Sequence, residues 1–370
     1  MISINLQRSV DFLLSHAGPV IQYRLHREIL RDVSPAEETR LLETVQQTPL
    51  YRQMESYRKP NGYIGIGMHS GEKYKETPLQ DGEAAARLMA YYGIPRENEI
   101  VQAFVAALRD EETLRQEFSY CHAEYKRFEN RYRGLRNGCG LMVLVYTMQA
   151  LLGFDDEVVQ PFVDTSYEAF VHMLDVRQLT DTAKVDENSR RRYNYPCMTE
   201  DAYFPCQYHL ETLAHTSSWR TEERIERLAR AVDHINAIMK PDDSVHVKLG
   251  GTCYVPYWAY CRTMKPFELD DTPHTALRKT ITCLARATGD RTRVVQQSVA
   301  NVLQGLQEDG VLRLCFSSPY RRKQFRDAVS MPSAYSEIGL ETEHRSERSM
   351  WCELTFWAVQ LLHILGYPIE

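Results

Sequence analysis

No stretch of this 370-residue sequence is apolar for the roughly 20 residues that crossing a bilayer requires. Its first residues, MISINLQRSVDFLL, lack a basic segment followed by a long apolar one and a small-residue cleavage site, so they do not read as a secretion signal. An excess of positive charge is missing too. Lys and Arg total 44 against 50 Asp and Glu, a net charge of −6 that argues against a general nucleic-acid binder. Period-two alternation is confined to short runs such as Val245–Val247 and Val311–Leu314, which excludes a β-rich fold. P-loop, GxGxxG, HExxH, GxSxG and paired CxxC motifs are all absent, and no cofactor or metal is expected. The nine cysteines are scattered, and Cys139, Cys283 and Cys352 lie inside apolar segments. That pattern suits reduced core thiols in a cytoplasmic protein better than a disulfide frame.

What is present is a repeated unit. Gly138–Leu152 (GCGLMVLVYTMQALL) is apolar on nearly every side, Gly153-Phe154 breaks it, and Asp155-Asp156-Glu157 opens VVQPFVDTSYEAFVHML, polar on one side. A helix without a polar face must be surrounded by protein, and a helix with one polar face covers it from outside. Glycine at the corner and acids in the next first turn are ordinary stop and start signals.

The unit recurs. Ser9–His16 and Val20–Leu30 read as short helices around Gly18-Pro19, and Ser34-Pro35-Ala36-Glu37 caps Glu37–Gln47. Lys59-Pro60-Asn61-Gly62-Tyr63 is a turn. Thr77-Pro78-Leu79-Gln80 is a capped start for the inner segment GEAAARLMAYYGI, with IVQAFVAALRD as its outer partner. Phe204–His215 is a further inner helix, with RIERLARAVDHINAIM outside it. HTALRKTITCLARAT, ended by Gly289, is followed by Thr292–Leu306. Trp351–Leu365 is the last inner helix. Corners at Gly93, Gly153, Ser217 and Gly366 repeat every ~50–75 residues, as in a helical array. The chain therefore reads as all-α and as one domain, 1–370, with a helical lead-in over 1–60 and long loops over 175–203 and 317–350.

The strings YYGIPRENEIVQAFVAAL, LLGFDDEVVQPFV, LQEDGVLRL and LLHILGYP resemble the repeat of terpenoid cyclases and protein prenyltransferases. PVIQYRLHREIL resembles the lead-in of uncharacterised bacterial proteins of that kind. The resemblance implies an α/α toroid, with inner helices around a central cavity and outer helices around them. The family's chemistry is not matched. Glu268-Leu269-Asp270-Asp271 stands where a cyclase would carry DxDD, no Trp follows Gly310, and there is no Asp-x-Cys pair.

Several polar residues on inner helices are candidates for lining such a cavity. Glu353, Trp357 and Gln360 share a face, as do Tyr208, Glu211 and His215. A carboxylate beside Trp and away from water is a candidate general acid, so Glu353 and Glu211, together with Asp81 at a helix start, are the candidate catalytic residues. Helix-end hydrogen bonding is the plainer explanation of each. Cys206 and His209 sit at i, i+3, and with Cys197 form a conceivable but unrecognised zinc spacing; His209 is otherwise a candidate ligand contact. Arg131, Arg133 and Arg136, with Lys126-Arg127 and interleaved Tyr125, Phe128 and Tyr132, are a candidate anion-binding mouth, or else a solvated loop balanced by Glu124 and Glu129. Arg321-Arg322-Lys323 with Arg326 reads the same way. His69, Asp81 and Glu83 flank an inner-helix start, where acids favour the helix dipole. Tyrosine, at 22 residues against 12 Phe and 4 Trp, suits a cavity wall or a wet helix surface.

Three functions remain in view: binding of a small, largely apolar ligand, isoprenoids included, in a tyrosine-lined cavity; a carbohydrate-active α/α-barrel hydrolase or lyase; and a non-enzymatic scaffold. An enclosed apolar cavity holding an isolated acid marks the first, an open cleft with two acids the second, and a filled centre the third.

Overall fold

The structure, a computed structural model, describes the chain apart from residues 1–5, 71, 122–127, 179–180, 182–197, 240–245, 250–251, 255–263, 271–275, 331–337, 344–345 and 370. It is mostly helical. The lead-in comprises α1 (Gln7–His16), α2 (Pro19–Arg24), α3 (Pro35–Gln46) and α4 (Pro49–Ser56). A π-helical turn, Leu25–Leu30, extends α2. Next come α5 (Gly82–Tyr91), α6 (Glu99–Arg109), α7 (Glu111–Phe118), α8 (Leu141–Leu151) and α9 (Gln160–Val171). α10 (Gln207–His215) and α11 (Glu222–Ile238) follow. A second π-helical turn, Ala276–Ile281, runs into α12 (Thr282–Thr288). The chain closes with α13 (Arg293–Gly305), α14 (Pro319–Ser330) and α15 (Glu347–Ile364).

Burial sorts these helices as the hydrophobic pattern requires. Every residue of α8 is buried except Tyr146, which is half-buried, and α5 and α10 are buried except at their ends. α15 is buried without interruption from Cys352 to Leu362. In α11, by contrast, only Leu228, Ala229, Ala231, Val232 and Ile235 are buried, one stripe of seventeen residues. The buried helices meet in chain order: α5 packs on α8, α8 on α10, α10 on α12 and α12 on α15, while α15 also touches α1 and α2. The half-wet α9 and α11 lie against α10 and α12, and α13 against α15.

The corners are tied by side chains. Ser34 Oγ accepts from the Glu37 amide, as its cap pattern predicts. Asp155 and Asp156 do not open α9, which starts only at Gln160. Instead the Asp155 carboxylate accepts from the amides and hydroxyls of Ser217 and Ser218, at 2.6 to 3.1 Å, and so joins the α8–α9 corner to the α10–α11 corner. Asp156 pairs with Arg109 of α6 at 2.8 Å.

Other expectations need correction. α5 begins at Gly82, not at Thr77-Pro78, because Asp81 takes the capping position and accepts from the Glu83 amide at 3.0 Å. α4 and α7 are additional short helices, and α14 lies inside the segment 317–350 read as loop; its polarity hid it because a helix with little to bury carries little period. Strand is limited, among the described residues, to Met198–Thr199 (β1), Val247–Leu249 (β2) and Thr252–Tyr254 (β3). β1 runs parallel to β2, and β2 antiparallel to β3. Cys139, Cys283 and Cys352, expected as core thiols, are buried and free, as are Cys121 and Cys206, while Cys253 is disulfide-bonded.

Gly138 and Gly153 both have left-handed backbone, at φ 80° and 86°. A Cβ at Gly153 would meet nothing closer than 3.7 Å, whereas one at Gly138 would fall 2.2 Å from Cys206 Sγ. Gly153→Ala should therefore cost about 1 kcal/mol, the backbone term alone. Gly138→Ala should cost about 2–4 kcal/mol, because overpacking adds to it. Urea unfolding of the two variants measures the difference, and equal losses would contradict this account of the α8–α10 contact.

Candidate functional site

An arginine in the middle of an otherwise apolar helix has to find its counter-charge inside the protein. Arg87 is such a residue, fully buried in α5. Its guanidinium forms a two-pronged pair with Glu211 of α10, 2.9 Å on each arm, and donates to Glu83 one turn earlier at 3.0 Å and to Tyr91 Oη at 3.2 Å. Glu83 also accepts from Tyr208 Oη at 3.2 Å and faces His69 Nδ1 at 3.2 Å. Burial alone would raise the Glu83 carboxyl, but Arg87 and His69 outweigh it and hold the group below its usual range. The result is a continuous line of paired charges from the loop before α5 to the centre of α10.

A second line begins in the lead-in. Arg24 pairs with Glu28 at 2.7 Å and donates to the Tyr91 carbonyl at 2.9 Å, and Gln360 Nε2 of α15 donates to Glu28 at 2.8 Å. Burial would raise Glu28, but Arg24 dominates and holds it down. Glu353, a turn or two earlier on α15, accepts from the Leu340 and Glu341 amides and from Trp357 Nε1, at 2.7 to 3.2 Å, with Arg278 3.7 Å away.

Between these lines lies a cavity of about 670 Å³, within the range of small-molecule sites. The last turns of all five buried helices border it: Tyr91 of α5, Leu151 of α8, His215 of α10, Arg286 of α12 and His363 of α15. So do both π-helical turns, which contribute Arg27, Glu28, Arg278 and Lys279. Six basic side chains face the space (Arg24, Arg27, Arg31, Arg278, Lys279 and Arg286) against two carboxylates, Glu28 and Glu211.

Part of that positive charge, and Arg220 outside the lining, serves the helices themselves. C-terminal helix ends leave carbonyls unpaired and carry partial negative charge. Arg24 and Arg27 donate to the carbonyls of Tyr91 and Gly93, closing α5. Arg220 donates to Leu213, Ala214 and Thr216 at the end of α10, and to the Arg286 carbonyl. Arg286 is different. No hydrogen bond or ion pair with a described residue reaches its guanidinium, and burial pulls its pKa down against the opposing field of Glu28. Arg31 is the lone described non-glycine residue with left-handed backbone, at φ 54°. It ends the first π-helical turn, a position that usually takes glycine.

Two neutral polar residues, His215 and Gln360, also line the cavity. His215 Nδ1 lies 2.8 Å from the Glu211 carbonyl, which can only accept, so this nitrogen carries the proton and Nε2 is a lone pair. Burial, then Arg286, pushes the His215 pKa down to about 3, so the ring is neutral. Gln360 Oε1 is buried and has no hydrogen-bond partner, while its amide nitrogen is fixed by Glu28.

The sequence candidates fall into three groups. Glu211, His215, Trp357 and Gln360 border the cavity. Glu353 and Tyr208 lie nearby but are turned to other partners, Glu353 to the loop amides and Tyr208 to Glu83. Asp81, His209 and the arginine run lie elsewhere. Asp81 caps α5 and binds Lys75 at 2.9 Å; burial raises its pKa against the pull of Lys75 and His69. His209 caps its own helix, with Nδ1 accepting from the Cys206 amide and Nε2 donating to the Leu135 carbonyl. Both of its nitrogens are used, no metal-holding cluster exists among the described residues, and Cys197 lies outside them. Arg133 pairs with Glu200, Arg131 stacks on Phe128 and Tyr132, and Arg136 lies over Tyr203; Lys126-Arg127 are outside the described residues. In the other basic run, Arg322 pairs with Glu347.

The charged cavity residues missed in the sequence are, apart from Glu28, cations. Arg278, Thr282 and Arg286 recur at i, i+4, i+8, and Arg24, Arg27 and Arg31 at i, i+3, i+7. One charged stripe on an otherwise apolar inner segment was the available signal. Tyrosine contributes only Tyr91 among the described lining residues, and the described wall is arginine-rich rather than tyrosine-rich. No protein-family model, curated protein or solved structure matches this chain.

Arg87→Met should destabilise the fold by about 3–5 kcal/mol, because it strands two buried carboxylates, and adding Glu211→Gln should recover part of that loss. Urea unfolding of the single and double variants reads the coupling; additive losses would contradict the pairing. His209 and His215 are both held neutral, with pKa values near 4 and 3, and should carry opposite tautomers, Nε2–H and Nδ1–H. The unfolded chain takes up a proton at each ring near pH 6.5 and the folded chain does not, so stability should fall as pH drops from about 6.5 towards 4. Ring ¹⁵N NMR at pH 5.5 tests this, and a ring already protonated there would contradict it.

Proposed function

We propose that this chain is an α/α toroid that binds a small organic anion where its inner helices end. The toroid is supported by the chain-order packing of five buried helices, whose last turns share one cavity. The anion is supported above all by Arg286, a partly buried guanidinium in the cavity wall with no counter-charge of its own. Burying an unpaired charge is costly, and a bound carboxylate or phosphate supplies the missing partner in a planar, two-pronged geometry. A wholly apolar ligand would leave that cost standing, so an isoprenoid fits this wall only through an anionic head. Arg31 points the same way: its left-handed backbone costs the folded chain energy that glycine would spare.

Inorganic pyrophosphate and citrate are suitable probes of the wall. Either should raise the unfolding temperature, with a gain of about 2.7 kcal/mol at a hundredfold excess over Kd. Arg286→Met should make the ligand-free protein more stable, by about 1 kcal/mol, and abolish the response to anions. Calorimetric titration and thermal unfolding measure both. If neither anion binds, or if Arg286→Met weakens the ligand-free fold, the reading fails.

A further inference from the structure

The two carboxylates of the cavity wall are already engaged. Glu28 takes both prongs of Arg24 and Gln360 Nε2 as well, and Glu211 takes both prongs of Arg87. Among the cations, Arg27 has Glu38 at 2.9 Å and the Gly93 carbonyl, and Arg278 has the Ile338 carbonyl, with Glu353 3.7 Å away. Lys279, at 1% exposure, presents almost no surface. Arg31 and Arg286 remain. No hydrogen bond or ion pair with a described residue reaches either guanidinium. They stand at different depths: Arg286 is half-buried on the last turn of α12, while Arg31 is exposed, at the rim. Both nevertheless act on one space. Both line the cavity, and burial, then Arg31 and Arg286, push the His363 pKa down against the pull of Glu28. Two like charges that act on one ring also repel each other. Arg31 is fixed at its root, because its amide donates to the His26 carbonyl at 2.7 Å and its backbone is left-handed, where glycine would sit without strain. A side chain kept at a strained backbone position is an outlier of the kind that gathers at functional sites.

We propose, resting on the anion-binding reading above, that the ligand carries two anionic groups joined by a carbon chain, one seated inside on Arg286 and the other at the rim on Arg31. The two-pronged match is made between one planar anionic group and one guanidinium, so a second arginine asks for a second group. The different depths of the two arginines separate the places those groups take. Half-buried Ile364 and the neutral His363 ring, at the end of α15, give the connecting chain carbon surface to cross. Arg286 then holds any anion, and Arg31 selects those with a second group. Once the inner group is bound, the outer contact is intramolecular, so even an exposed arginine adds affinity.

Calorimetric titration of the full chain tests this, with straight-chain dicarboxylates from malonate to suberate, each beside the monocarboxylate of like length. Malonate is the control for charge, since it carries its two charges side by side. At least one longer dicarboxylate should bind about fivefold or more tighter than malonate and than its own monocarboxylate at low ionic strength. Propanediol and pentanediol bisphosphates, each against its monophosphate, repeat the comparison, and the leading series identifies the anionic group. Arg31→Gly and Arg31→Gln should each bring that ratio towards one while leaving the singly anionic members within about threefold. Arg31→Lys should retain part of the ratio, and Arg286→Met should abolish binding of both members of a pair. Equal binding of the one-group and two-group members in both series overturns the two-group proposal and leaves the anion reading standing. So does a preference that survives in Arg31→Gly and Arg31→Gln. Binding by no member of either series, with no response to pyrophosphate or citrate, overturns both. Glycine accepts the left-handed backbone, so Arg31→Gly should unfold no earlier than the natural chain without ligand. Thermal unfolding checks this for each variant, and Arg31→Gln keeps the test decisive if Arg31→Gly is not folded.

Discussion

Five helices with no wet side end around one space, and the end of a helix is where its backbone is least satisfied. Carbonyls there lack partners, and the aligned peptide dipoles add partial negative charge. Water cannot reach buried ends freely, so the protein supplies cations. Arg24, Arg27 and Arg220 meet the carbonyls of Tyr91, Gly93, Leu213 and Ala214 directly. The apolar character of the helices thus forces an arginine-rich collar at their ends. The cavity wall is that collar together with the residues left over when the carbonyls have been served.

Deeper inside, Arg87 answers a different constraint. It crosses from α5 to α10 and fixes their relative height, because two prongs on Glu211 and one on Glu83 allow little sliding. Replacing such a pair by apolar side chains is often neutral for stability, so its value here is better sought in geometry. Glu211 is held by Arg87 on one side and Gln207 on the other, while its backbone carbonyl fixes the His215 tautomer one turn later. Buried charge in the middle of the helices therefore sets the hydrogen-bonding character of the cavity at their ends.

The inner helices were legible because each announces itself locally. Gly138–Leu152 has no polar face, so its burial follows from its own residues, and Gly153 and Gly366 mark where such segments stop. Glu211, His215, Trp357 and Gln360 could be named as cavity candidates for the same reason: polar groups on an apolar rod are conspicuous. The arginine run before α8 was equally conspicuous and lies elsewhere, since Arg133 found Glu200 and Arg136 found Tyr203 across the fold.

What the sequence determined by itself is periodic: which segments are helices, and which of them have no side to show to water. Only the tertiary structure decided which charges are paired. Arg24 and Arg286 look alike as letters, yet one rests on Glu28 and a carbonyl while the other faces a cavity without a partner. Periodicity is a property of neighbours three and four residues apart. Pairing is a property of atoms brought within 3 Å by packing from 67 residues away, as between Arg24 and Tyr91, or 124, as between Arg87 and Glu211.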